Sequence, residues 1–188
     1  DPRDAKNMLF VGDVMLARNV ETLMNTEGLY YPFKGLRDLF GSHDIVVGNF
    51  EASIPAHHAH TPNGAFNFSV SPEAVAPLSH VGFTDMTLAN NHSYDFGKEA
   101  YMNTRTVLQN SGLTVGGSPK QLSSDEVMYH TIGGVPVAII PINATFGPPL
   151  SEEYTKVLAT AKAKSAVQIV SIHWGTEYAL VANESQRA

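Results

Sequence analysis

Apolar residues in this chain of 188 fall into short runs rich in valine and isoleucine, separated by longer mixed segments. Residues 8–11, 45–47, 83–88, 113–115, 126–132, 135–140 and 167–172 read as strands, each a brief β-branched or aromatic run. Helices are predicted over 16–25, where Val20, Leu23 and Met24 share one face, and over 32–40, 72–80, 98–110 and 152–164. Pro72 suits an early helical position, Ser111-Gly112 is a stop signal, and Gly133-Gly134 makes a hairpin turn. Residues 52–68 are polar, with two prolines and three histidines, and are expected to form a long surface loop. Asn183 reads as a cap followed by the first residues of a helix running to Ala188.

Strands alternating with helical segments argue for βαβ units, hence an α/β fold whose sheet is covered on both faces. The length and the 43% hydrophobic content suit one domain with a sizeable core. A net charge of -6 excludes a generic nucleic-acid binder, because no basic patch is available to neutralise phosphates. The 12 lysines and arginines are scattered singly, which excludes a polybasic membrane patch. The lack of cysteine removes disulfides, thiolate metal sites and a cysteine nucleophile together. No run approaches the roughly 18 apolar residues of a spanning helix. Residues 1–7 are polar and carry no signal peptide, leaving open a leader or anchor upstream. Residues 112–119 lack the lysine and spacing of a nucleotide loop and read as a turn.

Candidate chemistry lies at the strand ends. Asp13 follows the first strand, Asn49 and Glu51 the second, Asn90, Asn91 and His92 the third, and His173 the last, with Asn143 placed similarly. Parallel strands bring their carboxyl ends to one edge of an open sheet, where ligands bind. Oxygen donors with a few imidazoles suit Mn, Mg, Fe or Zn. Taken singly, each has a plainer reading. Asp13 serves equally as a helix cap, Glu51 as a solvated carboxylate, Asn91 as a left-handed turn residue, and the histidines as structural hydrogen-bonders. Recurrence at four strand ends favours a site. His57, His58 and His60 form a tempting cluster without a partner carboxylate, and are read as structural.

Four stretches carry a family resemblance. They are Gly12-Asp13-Val14-Met15-Leu16, Gly48-Asn49-Phe50-Glu51, Ala89-Asn90-Asn91-His92 with Asp95 and Gly97, and His173-Trp174-Gly175-Thr176-Glu177-Tyr178. Together and in order they resemble the signature of CapA-type capsule-synthesis proteins, the polyglutamate-capsule family, which is related to the calcineurin-like metallophosphoesterases. The resemblance implies an α/β sandwich of two β-sheets flanked by helices, as a single domain over residues 1–188. It also implies divalent metal, two ions in a complete protein, with Asp13, Glu51, Asn91 and His173 resembling the ligands. His92 resembles the acid beside the metals, with Asp95 supporting it and Glu177 grouped with them as catalytic. Asn49, Asn90 and Tyr178 fall on the substrate side.

Two departures stand out. Ordinary metallophosphoesterases carry a histidine two residues after the first aspartate, where this chain has Met15, which puts simple phosphatase activity in doubt. The family also continues to a Gly-His-His-Pro-His motif, so the expectation is a truncated chain with weak metal binding or one occupied position. Three functions are implied by the resemblance. They are a metal-dependent hydrolase or transferase of capsule or poly-γ-glutamate production, a non-catalytic accessory subunit of a membrane-bound polyglutamate synthase, and a general metallophosphoesterase on small phosphate esters. Family habit implies a bacterial protein at the outer face of the membrane.

Overall fold

A computed structural model describes residues 6–147 and 151–187; Ala188, the last residue of the expected C-terminal helix start, lies outside them. Strands β1 (Met8–Val14), β2 (Ile45–Phe50), β3 (Asp85–Thr87) and β4 (Thr114–Gly116) form an all-parallel sheet in that order. Helices α1 (Asn19–Glu27), α2 (Arg37–Gly41), α3 (Ala76–Val81) and α4 (Gly97–Asn110) lie in the connections. Right-handed crossovers that always advance in one direction collect their helices on one face of the sheet. That face holds the main core, with Val46, Phe50 and Met86 of the strands against Met24, Phe40, Leu78 and Leu108 of the helices.

Alternate strand residues point the other way. Val47 packs there with Met128 and Ile139 of a second sheet. This sheet comprises β5 (Met128–Ile132), β6 (Val135–Asn143) and β7 (Val167–His173) in that order. β5 and β6 form an antiparallel hairpin through Gly133-Gly134, both at positive φ, and β7 runs parallel to β6. Helix α5 (Ser151–Lys164) covers the outer face, placing Val157 and Ala161 against Ala138, Ile140 and Ile142. The layers are thus helices, sheet, sheet, helix, the two-sheet α/β sandwich expected. A short α6 (Glu184–Arg187) follows Asn183, whose Oδ1 accepts from the Gln186 N–H at 3.0 Å. Among the described residues no helix is long and apolar enough to cross a membrane.

The structure corrects several boundaries. The helix expected over 16–25 begins only at Asn19, because Leu16 and Ala17 are buried and Arg18 turns left-handed. The segment 32–40 splits into a 3-10 turn, Tyr31–Phe33, and α2, with Gly35 at φ 85° between them. Residues 52–68 are not a surface loop throughout. Ala52 and Ile54 are fully buried, and Ser53 bridges Ser69. The Ile54 N–H donates to Thr104 Oγ1 at 2.7 Å, and the Ile54 carbonyl accepts from Asn103 Nδ2 at 2.9 Å. The segment is therefore a strap tied to α4. Gly48 lets β2 pass close to Phe83, since a Cβ there would meet that ring at 2.9 Å.

A charged pair crosses between the sheets. Asp85 is fully buried on β3, and His130 Nε2 of β5 donates to its Oδ1 at 2.6 Å. Thr84 Oγ1 donates to the other carboxylate oxygen at 2.6 Å. The bond to Asp85 holds the His130 pKa above its ordinary value, against the effect of burial. A raised imidazole pKa stabilises the fold fully below the unfolded value near 6.5, and that contribution fades as pH rises through the folded pKa. His130→Gln is therefore expected to cost about 2 kcal/mol near pH 6 and distinctly less near pH 9. Urea midpoints at the two pH values check this, and equal losses would refute it.

Candidate functional site

The carboxyl ends of β1, β2 and β3 meet the end of β7 at one edge of the sandwich. A register irregularity in β1 between Phe10 and Asp13 sets Asp13 level with Asn49, which is in turn level with Thr87. A bulge of this kind re-aims a side chain without ending the strand. Asn49 Nδ2 donates to Asp13 Oδ1 at 2.7 Å, and Thr87 Oγ1 donates to Asn49 Oδ1 at 2.9 Å. His173 reaches over from the second sheet. Its Nδ1 lies 3.3 Å from Asp13 Oδ1 and its Nε2 2.9 Å from Asn91 Oδ1. Glu51 Oε1 lies 3.8 Å from both His173 Nε2 and His92 Nε2.

His92 is held on every side. Its Nδ1–H donates to Asp95 Oδ2 at 2.9 Å, and Asp95 Oδ2 also accepts from the Phe68 N–H at 2.7 Å. The imidazole stacks on the Phe68 ring with centroids 4.1 Å apart. Its backbone N–H donates to Asn90 Oδ1 at 2.9 Å, and its carbonyl accepts from Ser53 Oγ at 2.9 Å. This leaves Nε2 as the free ring atom, facing a cleft of 470 Å³ lined by Asp13, Glu51, Asn91 and His173. A larger cavity of 510 Å³ lies elsewhere, beside Lys120, Asn143 and Glu153. It gathers no comparable set of donors, so chemistry rather than size identifies the site.

Two carboxylates and two imidazoles set the electrostatics of the cleft. The bond to His173 holds the Asp13 pKa below the carboxylate range despite partial burial. Burial first, and then the Asp13 charge, push Glu51 up. Burial alone would lower His173, but its bond to Asp13 and the charges of Asp13 and Glu51 win and raise it. Among the described residues no donor lies within hydrogen-bond distance of the Glu51 carboxylate, although only 17% of that side chain is exposed. The Glu51 carboxylate thus sits beside a second carboxylate with no direct hydrogen bond, its nearest imidazoles 3.8 Å away.

The donor set fits a divalent ion. Ligand bonds of roughly 2.1 Å put neighbouring donors about 3 to 3.5 Å apart, close to the 2.9 and 3.8 Å that separate His173 Nε2 from Asn91 and Glu51. Among the described residues no group of three or more histidines, cysteines or carboxylates is placed to hold a metal ion by itself. A set that held one would also need the Asn91 amide oxygen, 2.9 Å from His173 Nε2. An ion held there would take the place of the Nε2 proton of His173.

The remaining candidates fare differently. Asn90 is fully buried, with its amide committed to Asn49 Oδ1, the Phe50 carbonyl, the His92 N–H and Ser93 Oγ. It supports the site and is out of reach of substrate, contrary to the expectation. Asn49 is likewise occupied, between Asp13, His173, Thr87 and Asn90. Tyr178 stands 92% exposed at φ 63° and does not line the cleft, whereas Glu177 does. Asp95 acts through His92 as a positioning residue. Asn143 is turned to the Pro119 carbonyl and to Thr145.

The reading of the histidine cluster needs correction on one point, since it does have a carboxylate. Glu21 of α1 accepts from His58 Nε2 at 2.6 Å and His60 Nδ1 at 2.7 Å, and His58 Nδ1 meets Ser69 Oγ at 2.7 Å. These bonds fasten the strap to α1. Sequence reasoning also missed Arg18, Phe66 and Phe68, which line the cleft together with residues 174–177. The only available signal was the position of Arg18 five residues after Asp13.

Comparison with known proteins follows the same lines. The chain is 26% identical to the PGA biosynthesis protein CapA of Bacillus subtilis, covering 98% of this chain and 53% of that protein. It is 26% identical to the capsule biosynthesis protein CapA of Bacillus anthracis, covering 91% and 47% respectively. The chain thus spans about half the length of these relatives. Among solved structures, a hypothetical protein from Thermus thermophilus superposes with a TM-score of 0.56 at 17% identity, covering 90% of this chain and 58% of that one. A phosphatase from Mycoplasma pneumoniae superposes with a TM-score of 0.52 at 15% identity, covering 92% and 57%. Both share the fold. The family pattern described as bacterial capsule synthesis protein PGA_cap matches residues 7–188, and the chain belongs to that family.

Proposed function

We propose that this protein is a metal-dependent hydrolase or transferase of capsule production, acting on poly-γ-glutamate or a phosphate ester linked to its synthesis. The observation that carries the reading is the Glu51 carboxylate, largely buried, without a donor among the described residues and beside Asp13. Asp13, Glu51, Asn91 and His173 would hold the ion. A divalent ion bound there would supply Lewis acidity and lower the pKa of its water towards about 7. His92 carries the proton traffic. With Nδ1–H fixed on Asp95, Nε2 is free to receive a proton or to give one to a leaving group in the cleft. Asn49 and Asn90 fix Asp13 and the Asn91-His92 turn, so the donors are arranged before substrate arrives.

The test is the isosteric change Glu51→Gln, with bound metal counted by elemental analysis after incubation with Mn, Zn, Fe and Mg. Wild-type chain is expected to retain metal, and the variant to bind it about 10- to 100-fold more weakly. Without metal, the variant should melt at or above the wild-type temperature, because it removes a carboxylate that burial disfavours. Wild-type protein that holds no more metal than the variant would sink the metal-dependent reading.

A further inference from the structure

One cation in the cleft has no carboxylate partner among the described residues. We propose that this residue, Arg18, is the anion-reading residue of the site, receiving an oxyanion of the substrate next to the bond that reacts. The inference rests on the function proposed above and specifies the substrate group that function engages.

Three observations carry it. First, Arg18 is the only lysine or arginine among the described residues lining the cleft, whose acidic members are Asp13, Glu51 and Glu177. No carboxylate among the described residues lies within ion-pair distance of it. Second, the guanidinium is pre-set. Both Nε, at 2.9 Å, and Nη2 donate to the single Ala65 carbonyl, and Cζ lies 4.5 Å from the Phe68 ring centroid and 5.4 Å from that of Phe66. A guanidinium has five N–H donors in a fixed fork, so donors remain for a bidentate oxyanion such as carboxylate or phosphate.

Third, the backbone is strained to place it there. Arg18 has φ 55° and ψ -130°, a conformation that residues other than glycine rarely adopt. It occupies the N-cap of α1, where Ser, Thr, Asp or Asn is preferred, yet its side chain caps nothing. Neither helix stability nor backbone preference accounts for arginine at this position. Recognition does. Phe68 contacts Arg18 and stacks on His92, so the guanidinium and the imidazole that handles protons share one phenyl ring as neighbour. An oxyanion on Arg18 therefore sits beside the reacting bond, as the α-carboxylate of a γ-linked glutamyl residue does, or as the phosphate of an ester does.

Titration calorimetry with γ-glutamyl-glutamate and with inorganic phosphate tests this, on wild-type chain, Arg18→Gln and Arg18→Lys. Each is measured with and without manganese, alongside metal content and melting temperature. Arg18→Gln is expected to bind its probe about 10- to 100-fold more weakly than wild type in the same metal state, with metal content unchanged. Arg18→Lys should recover only part, because an ammonium cannot form the fork. A loss confined to the dipeptide identifies a carboxylate, and one confined to phosphate identifies a phosphate ester. Binding of both probes within twofold of wild type overturns the proposal, as does a wild type that binds neither. If Arg18→Gln does not fold, the Arg18→Lys comparison decides by the same twofold criterion. Absence of metal in wild type would count against the proposed function alone, since the Arg18 effect is also read without metal.

Discussion

Turnover of His92→Ala is expected to fall by about 100- to 10,000-fold relative to wild type, with bound metal unchanged. The expectation comes from the different surroundings of the two ring nitrogens. Nδ1 is fixed on Asp95, which is itself fixed by the Phe68 N–H, so ring and tautomer are set before substrate arrives. Nε2 faces the cleft, 3.8 Å from Glu51 Oε1 and beyond hydrogen-bond distance. On the proposed function, an atom so placed would exchange protons with substrate and stay outside the ligand group around His173. Asp95→Asn should lower turnover by a smaller factor, because it disturbs the tautomer and leaves the imidazole in place. Rate and metal content measured together separate the roles. Joint loss of both would make His92 a ligand, and an unchanged rate would remove it from the chemistry.

Asn90→Ala should lower the free energy of unfolding by about 3 to 5 kcal/mol, a large share of the 5 to 15 kcal/mol typical of a domain. Four groups lose their partner at once: Asn49 Oδ1, the Phe50 carbonyl, the His92 N–H and Ser93 Oγ. Each buried polar group left without a bond costs about 1 to 3 kcal/mol, reduced here because Asn49 Oδ1 keeps Thr87. Urea unfolding measures the loss. A change below about 1 kcal/mol, the size of an ordinary surface substitution, would show that Asn90 does not tie β2 to the Asn91-His92 turn.

The β-branched runs marked every strand, because burial in a sandwich selects such residues whatever their partners. Their boundaries were less legible. Leu16 and Ala17 look helical in isolation, but they are drawn into the core, and the turn at Arg18 delays α1. Residues 52–68 looked like a solvated loop because their composition is polar. Ile54 and Phe68 nevertheless find places under α4 and beside His92, which only the assembled neighbours provide.

By itself the sequence determined which strand ends carry carboxylates, amides and imidazoles, since strand direction alone brings such ends to one edge. It likewise determined the layered α/β class. Tertiary structure decided the division of labour among those residues. Asn90 and Asn91 are neighbours of one type, yet one is sealed beneath the turn and the other faces His173. Glu21 and the histidines of the strap are 37 and 39 residues apart and meet only because the strap folds back over α1. Arg18 reads as an ordinary surface cation until Phe66, Phe68 and the Ala65 carbonyl close around it. The reason is physical: burial, hydrogen bonding and charge pairing are set by neighbours distant in sequence, whereas strand and helix periods are set by neighbours along the chain.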